Sequence, residues 1–285
     1  MQLHLFLMIF LAIPLSLTAV SINFGLLFAI FISKKLKKCG NLELFYLRFF
    51  IDMMVGIGCS IQSILYAIQF SHIRSFLDSH PNFIFYAFWP TANFANVRTF
   101  LVMIIALDRF FAVFVPISYF NLRKKIPNVV IFLVPSSYAF VDNFVLWIVC
   151  KHEVNLPPNC STIECLGLKC FAQYAMIYEI VAHLLIAISS LLLAIRLFVW
   201  NRKERSKNLE RANYLALIDT LVILMFDVVP AIVITSIPNM MNDFSSLLTI
   251  SKMAGFVFEG CLVIQALKRK NEITDGQKSS VLTSK

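Results

Sequence analysis

The chain has 285 residues, of which 59% are hydrophobic and only 14% charged, with a formal net charge of +9. This composition excludes an ordinary soluble domain, because the long apolar runs leave nothing over from which to build one. The positive balance does not point to nucleic acid either, since the cations sit beside the ends of the apolar runs, where anionic lipid and membrane topology account for them.

In chain order the runs are Leu5 to Ile32, Leu44 to Phe70, Phe83 to Val115, Val129 to Val149, Phe171 to Phe198, Tyr214 to Ile237 and Leu247 to Leu267. Each is long enough to cross a hydrocarbon layer about 30 Å thick. The chain is therefore predicted to be an all-α membrane protein, a single seven-transmembrane helix bundle over residues 1–285 with a short cytoplasmic tail at 268–285. Lys34, Lys35, Lys37 and Lys38 follow the first run, and Arg123, Lys124 and Lys125 the third. Arg196 at the end of the fifth run is continued by Arg202, Lys203, Arg205, Lys207 and Arg211, and Lys268, Arg269, Lys270, Lys278 and Lys285 follow the last. The other three loops hold only Arg74, Lys151 and Lys169. The positive-inside rule then predicts an extracellular amino terminus and a cytoplasmic carboxyl terminus. The first run has no basic segment before it and no clear cleavage site, so it is read as a retained helix.

Cys150, Cys160, Cys165 and Cys170 cluster in the predicted outer loop after the fourth run, an oxidising compartment, where three pairings are possible. Asn159-Cys160-Ser161 in that loop is a glycosylation sequon. Cys59 and Cys261 lie inside runs and are expected to be small packing residues, and Cys39 beside the lysines is a palmitoylation candidate. No internal repeat is visible, which weighs against a transporter.

The third run ends in Asp108-Arg109-Phe110-Phe111-Ala112-Val113-Phe114-Val115-Pro116-Ile117-Ser118-Tyr119. An adjacent acid and arginine hold each other while leaving the guanidinium able to change partner, which suits a two-state device. The pattern resembles the cytoplasmic end of the third helix in rhodopsin-like G-protein-coupled receptors. Asn23 and Asp52 have the order and approximate spacing of that family's polar pair, and Pro230 falls where its sixth helix kinks. There are departures: the seventh run, Ser251 to Cys261, has no Asn-Pro-x-x-Tyr, the fourth has no central tryptophan, and the third has no cysteine at its outer end. With the Phe-rich spans and the run from Phe114 to Asn128, these departures resemble the nematode serpentine chemoreceptors, class BC in particular.

The resemblance implies a G-protein-coupled chemoreceptor of the plasma membrane of sensory neurons, one that binds a small external molecule and activates a heterotrimeric G protein. It implies no enzyme activity, no cofactor and no metal, and leaves the oligomeric state open. The alternative is a small-solute transporter or channel. Glu210 lies twenty residues before Pro230, about 30 Å along a helix, and is expected to join Asp108 and Arg109 in holding the inactive state, with Pro116 and Tyr119 completing the switch.

Charges inside the membrane each cost about 2.5–3.5 kcal/mol and so need partners. Arg98 lies about 16 Å deeper than Arg109 on nearly the same helix face, and Asp52 lies roughly 14 Å from the same surface. An Arg98–Asp52 ion pair is expected where the resemblance implies a sodium ion, with a charge-swapped pair recovering some folding. The resemblance further implies a ligand pocket lined by Thr91, Phe94, Ala95, Glu179, His183 and Lys252, under a lid formed by the outer-loop cysteines. Asp142, Asp219 and Asp227 are expected to face the bundle, with no partner assigned.

Overall fold

The computed structural model describes residues 8–33, 43–69, 80–154, 169–199, 215–218, 220–236, 247 and 249–265. Every element among them is a helix. Helix α1 is one rod made of Met8–Ala12, Ile13–Leu27 and Phe28–Ile32, its two ends wound in wide turns. Helix α2 is Glu43–Gln69, α3 is Pro81–Phe114, and α4 is the short Pro116–Lys125. Helix α5 joins Asn128–Phe144 to Val145–Val149, and α6 is Lys169–Val199. Helix α7 covers 215–218 and 220–236, with a wide turn at Leu224–Val228, and α8 covers 249–265.

Helix α3 is the hub. It packs along α2, α5 and α6, while α1 lies against the far side of α2. The largest core cluster runs through α1, α2, α3, α5, α7 and α8 and includes Phe45, Phe49, Leu101, Ile105, Met253 and Phe256. A second, made of Phe85, Trp89, Leu146 and Phe171, closes the end where α3 and α6 begin.

Burial is inverted relative to a water-soluble protein. Phe140 is 78% exposed and Arg48 only 1%. The outward face of α6 presents Ile177, Ile180, Leu184, Ile188, Leu191 and Ile195, while its Ser189 and Ser190 are buried. Such a surface is stable only where the surroundings are apolar. Among the described residues, four segments are long and apolar enough to cross a membrane: Phe10–Ile32, Glu43–Leu65, Phe132–Val149 and Gln173–Arg196. Helix α3, at 34 residues, has the length as well, but Asn93, Asn96 and Arg98 interrupt its apolar composition.

With lipid outside, helices gain little from burying apolar area and associate instead through close packing and polar contacts. Ser16 and Ser60 hydrogen bond at 2.8 Å between α1 and α2, and Ser190 and Thr220 at 2.6 Å between α6 and α7. Glycines set the closest approaches. A Cβ on Gly56 would lie 2.8 Å from Val20 Cγ2, and one on Gly58 would strike Oγ1, Cγ2 and Cβ of Thr91 together. Gly58→Ala is therefore expected to destabilise the α2–α3 contact by about 1–3 kcal/mol. The check is a lower melting temperature of the purified protein, partly restored by adding Thr91→Ala; an unchanged melt would mean the helices part at no cost.

Helix α7 shows how a proline is accommodated. Pro230 has no N–H for the Phe226 carbonyl four residues earlier. That carbonyl instead accepts a hydrogen bond from Ser251 Oγ of α8 at 2.8 Å.

Candidate functional site

Polar side chains gather at three levels of the bundle, one at the end where α3 stops, one in the middle and one towards the end where α3 begins. At the first level, α3 stops because Pro116 cannot continue its backbone ladder: Val115 leaves the helix at φ −131°, ψ 55°, and Pro116 opens α4. The turn brings Tyr119 back over Asp108. Arg109 donates from Nε to Asp108 Oδ2 at 2.9 Å and from Nη2 to the same oxygen, while the Tyr119 hydroxyl donates to Asp108 Oδ1. Both carboxylate oxygens are thus occupied. Burial, followed by the Asp108 charge, pushes the Tyr119 phenol up to about 12, so it remains a protonated donor throughout the physiological range. Arg109 is only 5% exposed. Arg123 of α4 reaches Glu43 at the start of α2 at 3.8 Å, tying the short helix to the bundle.

At the middle level four buried charges interlock. Arg98 of α3 donates from Nε to Asp52 Oδ1 at 2.6 Å and from Nη2 to Glu259 Oε2 at 3.4 Å. Arg48 of α2 lies 3.4 Å from Asp52 Oδ2 through Nε and pairs through Nη2 with Glu259 Oε1. The four side chains are between 1% and 5% exposed. Two arginines against two carboxylates leave this quartet formally neutral, the arrangement that a low-dielectric interior tolerates. The Arg98 guanidinium also lies over the Phe256 ring, 4.1 Å from its centroid.

At the third level, Lys252, Phe256 and Glu259 follow one another along one face of α8, at the i, i+4 and i+7 spacing of a helix stripe. Lys252 Nζ lies 3.7 Å from Glu179 Oε1 of α6. His183 sits one turn along α6 from Glu179 and feels the charges of Asp227, Glu179, Lys252 and Arg98. Thr91 is buried against Gly58. Phe94 packs against the central core, and the Ala95 carbonyl accepts a hydrogen bond from Thr99.

The end beyond is closed by aromatics and a disulfide. Cys150 at the end of α5 and Cys170 at the start of α6 are bonded, with their Cα atoms 5.8 Å apart. Asp142 is fully buried and accepts from Asn96 Nδ2 at 2.9 Å and from the Tyr174 hydroxyl at 3.1 Å. Trp89 Nε1 donates to Asn143 Oδ1 at 3.0 Å. His152, tucked between Phe85 and Trp147, has its pKa lowered by burial.

The structure thus brings together Asp52 with Arg98, Asp108 with Arg109 and Tyr119, Glu179 with Lys252, and Cys150 with Cys170. Glu210, Asp219, Asn159, Cys160, Cys165 and Cys39 lie outside the described residues. Cys261 corrects the expectation of a packing residue: it is exposed on the outward face of α8, whereas Cys59 is buried. Sequence reasoning missed Arg48 and Glu259. A signal for Arg48 was present, since it stands four residues before Asp52 on the same helix face. Asn23 donates to the Ala19 carbonyl of its own helix at 3.0 Å.

Residues 1–271 match the family model described as serpentine type 7TM GPCR chemoreceptor Srbc. No curated protein matches the chain.

Proposed function

The chain belongs to the serpentine type 7TM GPCR chemoreceptor family Srbc, and from that membership we propose that it is a G-protein-coupled chemoreceptor, binding a small external molecule and activating a heterotrimeric G protein. In this reading α1, α2, α3, α5, α6, α7 and α8 are seven spans within one domain, with the amino terminus outside, the tail in the cytoplasm and the receptor in the plasma membrane of a sensory neuron. Lipid is its solvent. The cation asymmetry of the loops supports this orientation, and so does the Cys150–Cys170 bond, which requires an oxidising compartment on that side.

The observation that carries the reading is the Asp108, Arg109 and Tyr119 cluster where α3 meets α4. It is a charged clasp at the face where a G protein would dock, and its guanidinium is held by an immediate neighbour in sequence. A ligand that favours a state in which α7 moves away from α3 would release Arg109 for the G protein, a population shift that needs no covalent chemistry. Pro116 sets the turn that carries Tyr119. Glu210 would add a second carboxylate to the clasp. The ligand would lie between α3, α6 and α8, near Phe94, Ala95, Glu179, His183 and Lys252, with Thr91 at the α2–α3 seam.

Reconstitution of the full chain in vesicles with a heterotrimeric G protein tests this. A panel of volatile and soluble small molecules is expected to yield at least one that accelerates nucleotide exchange. An antibody is expected to reach an epitope on Met1 in intact cells. Solute flux with no nucleotide exchange would instead favour transport.

A further inference from the structure

Charge is not balanced above the buried quartet. Arg48 and Arg98 are matched by Asp52 and Glu259, and Lys252 is matched by Glu179. Asp227 of α7 makes a fourth carboxylate against three cations, and it shares the charge of Lys252 with Glu179. Its Oδ2 lies 4.0 Å from Arg98 Nη1, too far for a hydrogen bond and facing a guanidinium already engaged by two other carboxylates. Its Oδ1 is buried and accepts no hydrogen bond from any described residue, and the side chain as a whole is 12% exposed. A carboxylate held this way carries a standing desolvation cost that a donor bearing positive charge would remove.

The surroundings say what kind of donor fits. Asp227, Glu179, Lys252 and Arg98, on α3, α6, α7 and α8, all act electrostatically on His183, and the formal charges of the quartet with Lys252, Glu179 and Asp227 sum to one negative unit. Lys252 and Glu179 have side chains 32% and 42% exposed, so this level is not sealed within the bundle. Phe226 precedes Asp227 in sequence and packs with Phe258 at 5.9 Å, and Phe256 lies beneath Arg98, so α7 and α8 supply aromatic side chains at this level.

We propose that Asp227, flanked by Glu179 and His183, is the recognition point for a small organic cation, a protonated amine that keeps at least one N–H and carries an apolar body. This rests on the receptor reading and names the chemical class of its ligand. An amine supplies both missing quantities at once, a hydrogen-bond donor for Oδ1 and one unit of positive charge. An alcohol of the same skeleton supplies the donor without the charge. A carboxylate adds a second anion beside Asp227 and Glu179 and is excluded by repulsion.

The test uses the full-length chain in lipid nanodiscs, without G protein, and a panel of small arylalkyl amines matched skeleton by skeleton with their alcohols and carboxylates. Amines are expected to bind at least about tenfold more tightly than their counterparts. D227N is expected to weaken amine binding by about 10- to 100-fold, the range for a hydrogen bond to a charged group. D227E, which keeps the charge, is expected to retain it within a few-fold. In the absence of amine, D227N is expected to melt no lower than the unmodified chain, because it removes the carboxylate in excess. Preference for alcohols or carboxylates, no amine binding, or amine binding that D227N leaves unchanged would overturn the proposal. Amine binding without nucleotide exchange would sink the receptor reading alone, and carboxylate-driven exchange would sink the amine assignment alone.

Discussion

Asp52→Ala is expected to remove more than about nine-tenths of the protein from the cell surface, the largest effect of any single substitution outside the backbone-critical glycines. Removing this carboxylate leaves two guanidiniums, Arg48 and Arg98, sharing Glu259 as their one close carboxylate among the described residues, with Asp227 4.0 Å from Arg98. An uncompensated buried charge costs about 3–5 kcal/mol, a large share of the roughly 5–15 kcal/mol that holds a folded domain together. The quartet also changes which rescue is expected. An Asp52–Arg98 pair considered alone predicts that exchanging the two charges restores folding. With Arg48 and Glu259 included, the exchange sets an arginine at position 52 one turn from Arg48, and an aspartate at position 98 beside Glu259 and Asp227. It should rescue nothing. D52N combined with R48Q leaves one arginine and one glutamate, so it should recover most of the surface signal. Surface staining of an epitope-tagged chain decides the matter, and wild-type levels of the Asp52→Ala variant would end the argument.

The second large effect lies at the end of α3. Asp108→Asn weakens both charge-assisted hydrogen bonds from Arg109 and the one from Tyr119. Each such bond contributes about 1.5–3 kcal/mol, and a bias of 1.4 kcal/mol between two states is tenfold in their populations. Ligand-free nucleotide exchange is therefore expected to rise by about tenfold or more. Tyr119→Phe, which removes one donor and keeps the ion pair, should raise it less. Arg109→Ala should abolish ligand-stimulated exchange while the protein still reaches the surface, since the lost guanidinium is the group the G protein would engage. Basal exchange that stays flat in Asp108→Asn would remove the clasp from the mechanism.

The positions of the helices were legible because length and hydropathy report directly on elements. The third run, read as Phe83 to Val115, is a helix at Pro81–Phe114, with a proline marking each boundary. Asp52 and Arg98 were legible as neighbours because their distances from the same surface match along two helices, so depth alone paired them. Side-chain facing was harder to read. A wide turn such as Leu224–Val228 inserts a residue and rotates everything beyond it by roughly 100° relative to an ideal helix. Asp227 sits within that turn, so an ideal helix does not give its facing. The cysteines were ambiguous for another reason. Four in one loop allow three connectivities, and only the three-dimensional position of the ends of α5 and α6 selects Cys150 with Cys170. Cys261 was misplaced because an apolar run is uniform around its circumference, so nothing in its composition separates the lipid-facing side from the bundle side.

The bond from Ser251 to the Phe226 carbonyl has a mechanical corollary. A backbone oxygen stripped of its own helix partner by Pro230, and set in hydrocarbon, has no water to turn to, so any tilt of α7 that parted it from α8 would strand a bare dipole. The cheaper motion keeps the two helices bolted together and lets them swing as one arm. The sliding seams then fall elsewhere, at the contacts α7 makes with α6 and at the arginine that α3 holds beneath it.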